Sequence, residues 1–157
     1  GLVGSAVHAK EISQKKENID GVLVLEMIGY FSDQPNSQTF PLSFLYLIYP
    51  NKGNFIALVG IINQGSFTRT IKVGMQGSTD LPIYSLNAPT SLEDINRSDH
   101  ASYWTYGYQA LMITDTANFR NEAYHQKEDT LDRLDYDRMG KVVLSVYNYL
   151  KTRKISN

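Results

Sequence analysis

Val22-Leu23-Val24-Leu25-Glu26-Met27-Ile28 is apolar on both alternating faces except at Glu26. That is the pattern of a strand covered by helices on each side. Phe55-Ile56-Ala57-Leu58-Val59 reads the same way, and Ile83 to Leu86 and Ala110-Leu111-Met112-Ile113 supply two further strands. Helical spacing fills the intervals. A first helix is expected over about 5–17 with Ser5 as its N-cap, a short one over Ser66 to Met75, and one over Asp99 to Tyr106 capped by Ser98. A last helix is expected over about 136–152. Met139, Val142, Val143, Val146 and Leu150 mark its apolar face, and Lys151, Arg153 and Lys154 suit its C-terminal end. Strands alternating with helices predict a three-layer α/β/α fold around a largely parallel, mixed sheet. Gly29 to Gly53 is a long Pro-, Asn- and Ser-containing connection, of the kind that usually serves function, with a helical turn expected within Leu42 to Tyr49.

The composition sets outer bounds. With 157 residues, 42% hydrophobic and 20% charged, the chain has the make-up of one ordinary globular domain. It contains no Cys, which excludes disulfide scaffolds, cysteine zinc fingers and thiol catalysis. Fifteen basic and sixteen acidic residues leave a net charge of −1, no electrostatic footprint for nucleic acid or an anionic membrane. The longest apolar run, Phe44 to Tyr49, is far shorter than the roughly 18–20 residues of a membrane span.

Three groups of residues could carry chemistry. Glu26 is a carboxylate within an apolar strand, toward the carboxyl end where open α/β sheets place ligands. Such a group must be paired, hydrogen-bonded or metal-bound, unless the strand emerges into solvent there. In Ser98-Asp99-His100 the three side chains are adjacent, so they do not form a nucleophile, base and orienter in line. Asp99 reads either as a first-turn acid or as a carboxylate supporting a site. His125 lies in the polar stretch Tyr124-His125-Gln126-Lys127-Glu128-Asp129-Thr130, as a solvated loop residue or a metal ligand, while His8 reads as surface. Tyr103, Trp104, Tyr106 and Tyr108 either line a pocket or pack a helix. Asn96-Arg97-Ser98 is a formal glycosylation triplet of low specificity.

Taken in order, several segments resemble the M28-type zinc aminopeptidases. They are Gly4-Ser5-x-x-His8-Ala9, Leu25-Glu26-Met27-Ile28-Gly29-Tyr30, Gly53 through Gly60, Ser98-Asp99-His100-Ala101-Ser102-Tyr103-Trp104, and Ala110 through Thr116. Tyr124-His125, Asp129-Thr130-Leu131-Asp132 and Leu134-Asp135-Tyr136 complete the set. The resemblance spans essentially the whole chain and implies two zinc ions as cofactors, which activate water against the N-terminal bond of a peptide substrate. It places Glu26 as a ligand of one zinc, where the family commonly has Asp, and His125 as a ligand of the other. Ser98, Asp99, Tyr103 and Asp129 fall on positions that support the ligands or face substrate.

The same resemblance implies a shortfall. The family's His-x-Asp segment, bridging Asp and Glu-Glu pair, which includes the general base, have no counterpart here; all would lie upstream of the first helix. Residues 1–157 are therefore expected to form the C-terminal portion of a catalytic domain, with Gly1 following the missing Glu pair and the chain's own N-terminal portion as a possible partner. The isolated chain is expected to hold zinc weakly or not at all and to be inactive, its sheet short of strands on one side. A glutaminyl-cyclase-like transferase, a catalytically dead binding relative and a fortuitous match are the alternatives.

Overall fold

Sheet order follows from which apolar runs find each other. The computed structural model describes residues 2–153, so Gly1 and Lys154 lie outside the described residues. The strands are β1 (Val22–Leu25), β2 (Ile56–Ile61), β3 (Ile83–Ala88) and β4 (Ala110–Thr114), and they lie in the order β1-β4-β2-β3. β1 is parallel to β4 and β2 is parallel to β3, whereas β2 meets β4 antiparallel through Ala57–Thr114, Leu58–Ile113 and Val59–Met112. The sheet is mixed.

Helices cover both faces. α1 (Val3–Gln14) and α3 (His100–Trp104) share one face, where Ala9, Ile12, Tyr103 and Ala110 form a small core. α2 (Gly65–Met75) and α4 (Tyr136–Thr152) pack on the other. There Ile56, Leu58, Leu111 and Ile113 are sealed beneath Phe67, Ile71, Met75, Val142, Val146 and Tyr149. Helical layers of this kind are what strands apolar on both faces require. Among the described residues, no helix is long and apolar enough to cross a membrane.

The structure corrects several boundaries. α1 starts at Val3 rather than at Ser5, and the Ser5 hydroxyl, instead of capping, donates to the Leu2 carbonyl at 3.0 Å. Ser98 is not a helix cap either, because α3 begins at His100 and its N-terminus has no side-chain cap. Asp135 does cap α4, accepting from the Arg138 amide at 2.9 Å. The buried stripe of α4 is Val142, Ser145, Val146 and Tyr149, while Val143 and Leu150 are exposed. β1 ends at Leu25, three residues before the apolar run does, because Met27 adopts a positive φ of 56° and turns the chain. The expected turn within 42–49 is a 3₁₀ turn over Ser43–Leu47, in which Leu45 is buried.

β1 and β3 are the edges of the sheet. Leu25 of β1 is exposed, as are Val3 and Val7 of α1 and Val143, Leu144, Tyr147 and Leu150 of α4.

Candidate functional site

The parallel neighbours β1 and β4 end side by side, with Leu25 opposite Ile113. The chain leaves both strands through strained backbone: Met27, Thr116 and Ala117 all have φ between 48° and 78°. Fully buried Asp115 holds these exits together. Its amide donates to the Met27 carbonyl at 2.6 Å, and its carboxylate accepts from the amides of Gly29, Tyr30 and Ala117 at 3.0, 2.7 and 3.0 Å. Burial pushes the Asp115 carboxyl above its ordinary range, against these donors and the nearby Arg120 charge.

Glu26 emerges from β1 at this junction. Its amide continues the ladder to the Ile113 carbonyl at 3.0 Å, and its side chain, half-buried, accepts from the Ser98 hydroxyl at 2.7 Å through Oε2. Ser98 is itself buried, so one carboxylate oxygen is fixed by a neighbour 72 residues away in sequence. Both residues line a cavity of about 120 Å³ on the sheet face opposite α2 and α4. Tyr124 lines it too, and the exposed ring of His125 lies against Tyr124 with centroids 3.9 Å apart. His125 has a φ of 61°, the left-handed region that an unbranched turn residue enters at a cost.

The cavity is built mainly from apolar side chains. Ala57, Val59, Met112 and Thr114 come from the sheet, and Phe40, Pro41, Leu45 and Tyr49 from the long connection. That connection is fastened by buried Arg120, which donates to Gln38 Oε1 at 2.9 Å and to the carbonyls of Tyr30 and Phe55 at 3.2 and 3.0 Å. Its guanidinium also lies over the Phe55 ring at 4.7 Å. Burial pulls the Arg120 pKa down to about 10, with Asp115 acting in the opposite direction. A Cβ on Gly53 would come within 2.6 Å of Arg120 Cδ, so glycine gives this side chain its passage.

The remaining expected residues lie apart from this cavity wall. Asp99 is exposed just before α3. Tyr103 packs toward α1 and its hydroxyl bonds His8 Nδ1 at 2.8 Å, so His8, read as surface, is exposed but tethered. Asp129 is exposed and accepts from Asn121 Nδ2 at 2.9 Å. His100 is fully buried, with Nε2 donating to the Ile95 carbonyl at 2.7 Å, and burial lowers its pKa. Sequence reading missed the roles of Asp115, Arg120 and Gln38. The signals within reach were a carboxylate ending a continuous apolar run and a glycine at the place where the arginine passes.

Residues 1–150 match Peptidase family M28. The chain belongs to that family. Among curated proteins, this M28 chain is 41% identical over 152 residues to a protein of Escherichia coli K12 described as "Uncharacterized protein YfbL", covering 97% of the chain and 46% of that protein. Among solved structures, the LapA aminopeptidase of Legionella pneumophila superposes with a TM-score of 0.67 at 16% identity, over 98% of this chain and 37% of that one. An aminopeptidase from Aneurinibacillus sp. strain AM-1 gives 0.59 at 20% identity, over 95% and 29%. These likenesses show a shared fold, and the M28 chain spans less than half the length of each of these three proteins.

The donor set can be tested for a metal on its own chemistry. Glu26 has Oε2 engaged by Ser98 and opens on the cavity that Tyr124, beside His125, also lines. Among the described residues, however, no group of three or more His, Asp and Glu side chains converges as a metal site. A tightly held zinc takes three or four protein ligands, so the described residues do not by themselves form a complete ligand set.

Proposed function

We propose that this chain supplies part of the active site of a zinc aminopeptidase, with Glu26 and His125 each contributing one ligand to a pair of zinc ions. The observation that supports this most is the Glu26 carboxylate, fixed through Oε2 by buried Ser98 at 2.7 Å where β1 meets the cavity. An exposed carboxylate does not need such an orienting donor, whereas a ligand whose second oxygen must point one way gains from it. Zinc bound there would supply Lewis-acid activation of water and of the scissile carbonyl. What this chain's own residues do is narrower. Ser98 orients Glu26, Asp115 holds the two strand exits in register, and the cavity receives part of the peptide.

On this reading the further ligands and the general base come from polypeptide outside these 157 residues, and residues 1–157 act as the C-terminal portion of a larger catalytic domain. The test compares the 157-residue chain with the longest natural polypeptide that carries it. Calorimetric titration with zinc and hydrolysis of leucyl-p-nitroanilide are both measured. Weak zinc binding and no turnover by the short chain, with chelator-sensitive turnover by the long one, are expected. Chelator-sensitive hydrolysis by the short chain would refute the shared-site reading.

A further inference from the structure

His125 sits in a stretch that packing does not hold. His125-Gln126-Lys127-Glu128-Asp129-Thr130-Leu131 is exposed at every position, so no buried side chain of its own pins the segment to the body of the protein. Lys127 and Glu128 lie 3.6 Å apart in solvent, where such pairs contribute little. His125 nevertheless adopts a φ of 61° at the third position of a turn, closed by the Gln126 amide donating to the Ala123 carbonyl at 2.7 Å. Glycine or asparagine ordinarily fills that position, and another residue stays there only where its surroundings impose it.

The imposing group is Asn121. It is 1% exposed, and its side-chain amide grips the loop on both sides of the imidazole. Oδ1 accepts from the Ala123 amide at 3.1 Å, two residues before His125, while Nδ2 donates to Asp129 Oδ1 at 2.9 Å, four residues after it. The Asn121 carbonyl also accepts from the Tyr124 amide at 3.1 Å. Arg133 carries the grip across to the exit of β1. Its Nη2 donates to Asn121 Oδ1 at 3.1 Å and lies 3.4 Å from the Tyr30 hydroxyl, and Tyr30 is in turn bound through its amide to Asp115 at 2.7 Å. Asn121 therefore stands between the loop of His125 and the segment that leaves β1 after Glu26. The position needs an acceptor toward Ala123 and Arg133 and a donor toward Asp129 at once, which an amide side chain supplies and a carboxylate does not.

We propose that Asn121 is the positioning residue for His125, setting where the imidazole stands relative to Glu26. The inference rests on the reading of His125 as a zinc ligand and adds the group that aims it. Removing a group that orients a metal ligand costs roughly 10–100-fold in metal affinity.

The test uses the longest natural polypeptide carrying the chain. Hydrogen exchange of the zinc-free protein, followed by mass spectrometry, reports the loop, and calorimetric titration reports zinc. Asn121→Asp keeps the acceptor, loses the donor and sets two carboxylates against each other. It is expected to speed exchange in the peptide spanning 122–130 by roughly tenfold while peptides of β2 and β4 keep their rates. It is also expected to weaken, by roughly 10–100-fold, the zinc site that His125→Ala disrupts. The double variant Asn121→Asp with Asp129→Asn rebuilds the hydrogen bond with donor and acceptor exchanged, and recovery of most of both effects is expected. Asp129→Ala changes only an exposed side chain, so it keeps the test valid where Asn121→Asp does not fold, and the same faster loop exchange is expected from it. Exchange that rises equally in the loop and in the strands would make Asn121 a general stabiliser and overturn the proposal. So would unchanged loop exchange, a double variant no better than the single one, or zinc affinity left intact by Asn121→Asp where His125→Ala lowers it. Where His125→Ala leaves every zinc affinity unchanged, the zinc reading of His125 is what fails, and loop exchange with its rescue decides the positioning role alone.

Discussion

Leu111 and Met112 are neighbours on β4 of similar size, and the sheet sends them to opposite fates. Leu111, with Ile56, Leu58 and Ile113, is sealed at 0% exposure under α2 and α4. Met112, with Ala57 and Val59, keeps 8% exposure because it borders a cavity. One face of the same strands is packed to exclude everything; the other is held apart so that something can enter. Packing holds the first face together. A polar framework anchored on Asp115 and Arg120 holds the second, since a void contributes no dispersion contacts of its own.

The largest effect that would break this contrast is expected at Arg120. Arg120→Met leaves Gln38 Oε1, two carbonyls and the neighbouring Asp115 without their buried cation. A loss of about 3–5 kcal/mol in urea unfolding is expected. A loss below about 1 kcal/mol would show that the connection over the cavity stands without its clamp.

The pair on β4 sharpens the contrast directly. Leu111→Ala opens a cavity in a sealed layer and is expected to cost about 3–4 kcal/mol. Met112→Ala only enlarges an existing space and is expected to cost about 2 kcal/mol or less. Equal losses in parallel denaturant titrations would mean that the two faces are packed alike.

A pH effect follows from His100, which lies beneath the cavity face near Ile95. Burial depresses its folded-state pKa below the ordinary value of 6.5. The unfolded chain therefore takes up the proton first, and stability is greatest above pH 6.5 and falls as pH drops through that value toward the folded pKa. Unfolding midpoints measured between pH 7.5 and pH 5 are expected to decline, and His100→Gln is expected to flatten that part of the curve. The smallest effect is expected from Ser98→Ala, about 1 kcal/mol for one hydrogen bond to a partly exposed carboxylate. Its stronger signature is weaker zinc binding by the longest natural polypeptide.

Much of the architecture could be read from apolar periodicity. β2, β4 and α4 lie where their runs of Ile, Leu and Val predict them, because a buried strand or helix face must be continuous in the sequence. Strand direction was less legible. A strand buried on both faces looks the same to a parallel or an antiparallel neighbour, so the β2–β4 reversal left no trace. Glu26 stood out as a charge among apolar residues, whereas helical spacing made its partner Ser98 a helix cap, a role defined locally, and only the family resemblance set Ser98 among positions that support ligands or face substrate. The bond between them spans 72 positions and exists only after α3 has packed. β1 ended early for a similar reason: the turn at Met27 is fixed by Asp115, which arrives with β4. Arg120 was invisible because a single arginine in a polar loop has no pattern; burial among Phe31, Phe55 and Gln38 is what makes it structural.

Glu26 and His125 are each proposed to hold a zinc ion beside the open face of the sheet. Zinc-edge anomalous diffraction from crystals of the longest natural polypeptide, grown with zinc, tests it most directly. Expected are two peaks, one about 2.0–2.2 Å from a Glu26 carboxylate oxygen and one about 2.0–2.1 Å from a His125 ring nitrogen. Zinc bound by other residues, with Glu26 and His125 both unliganded, would contradict it.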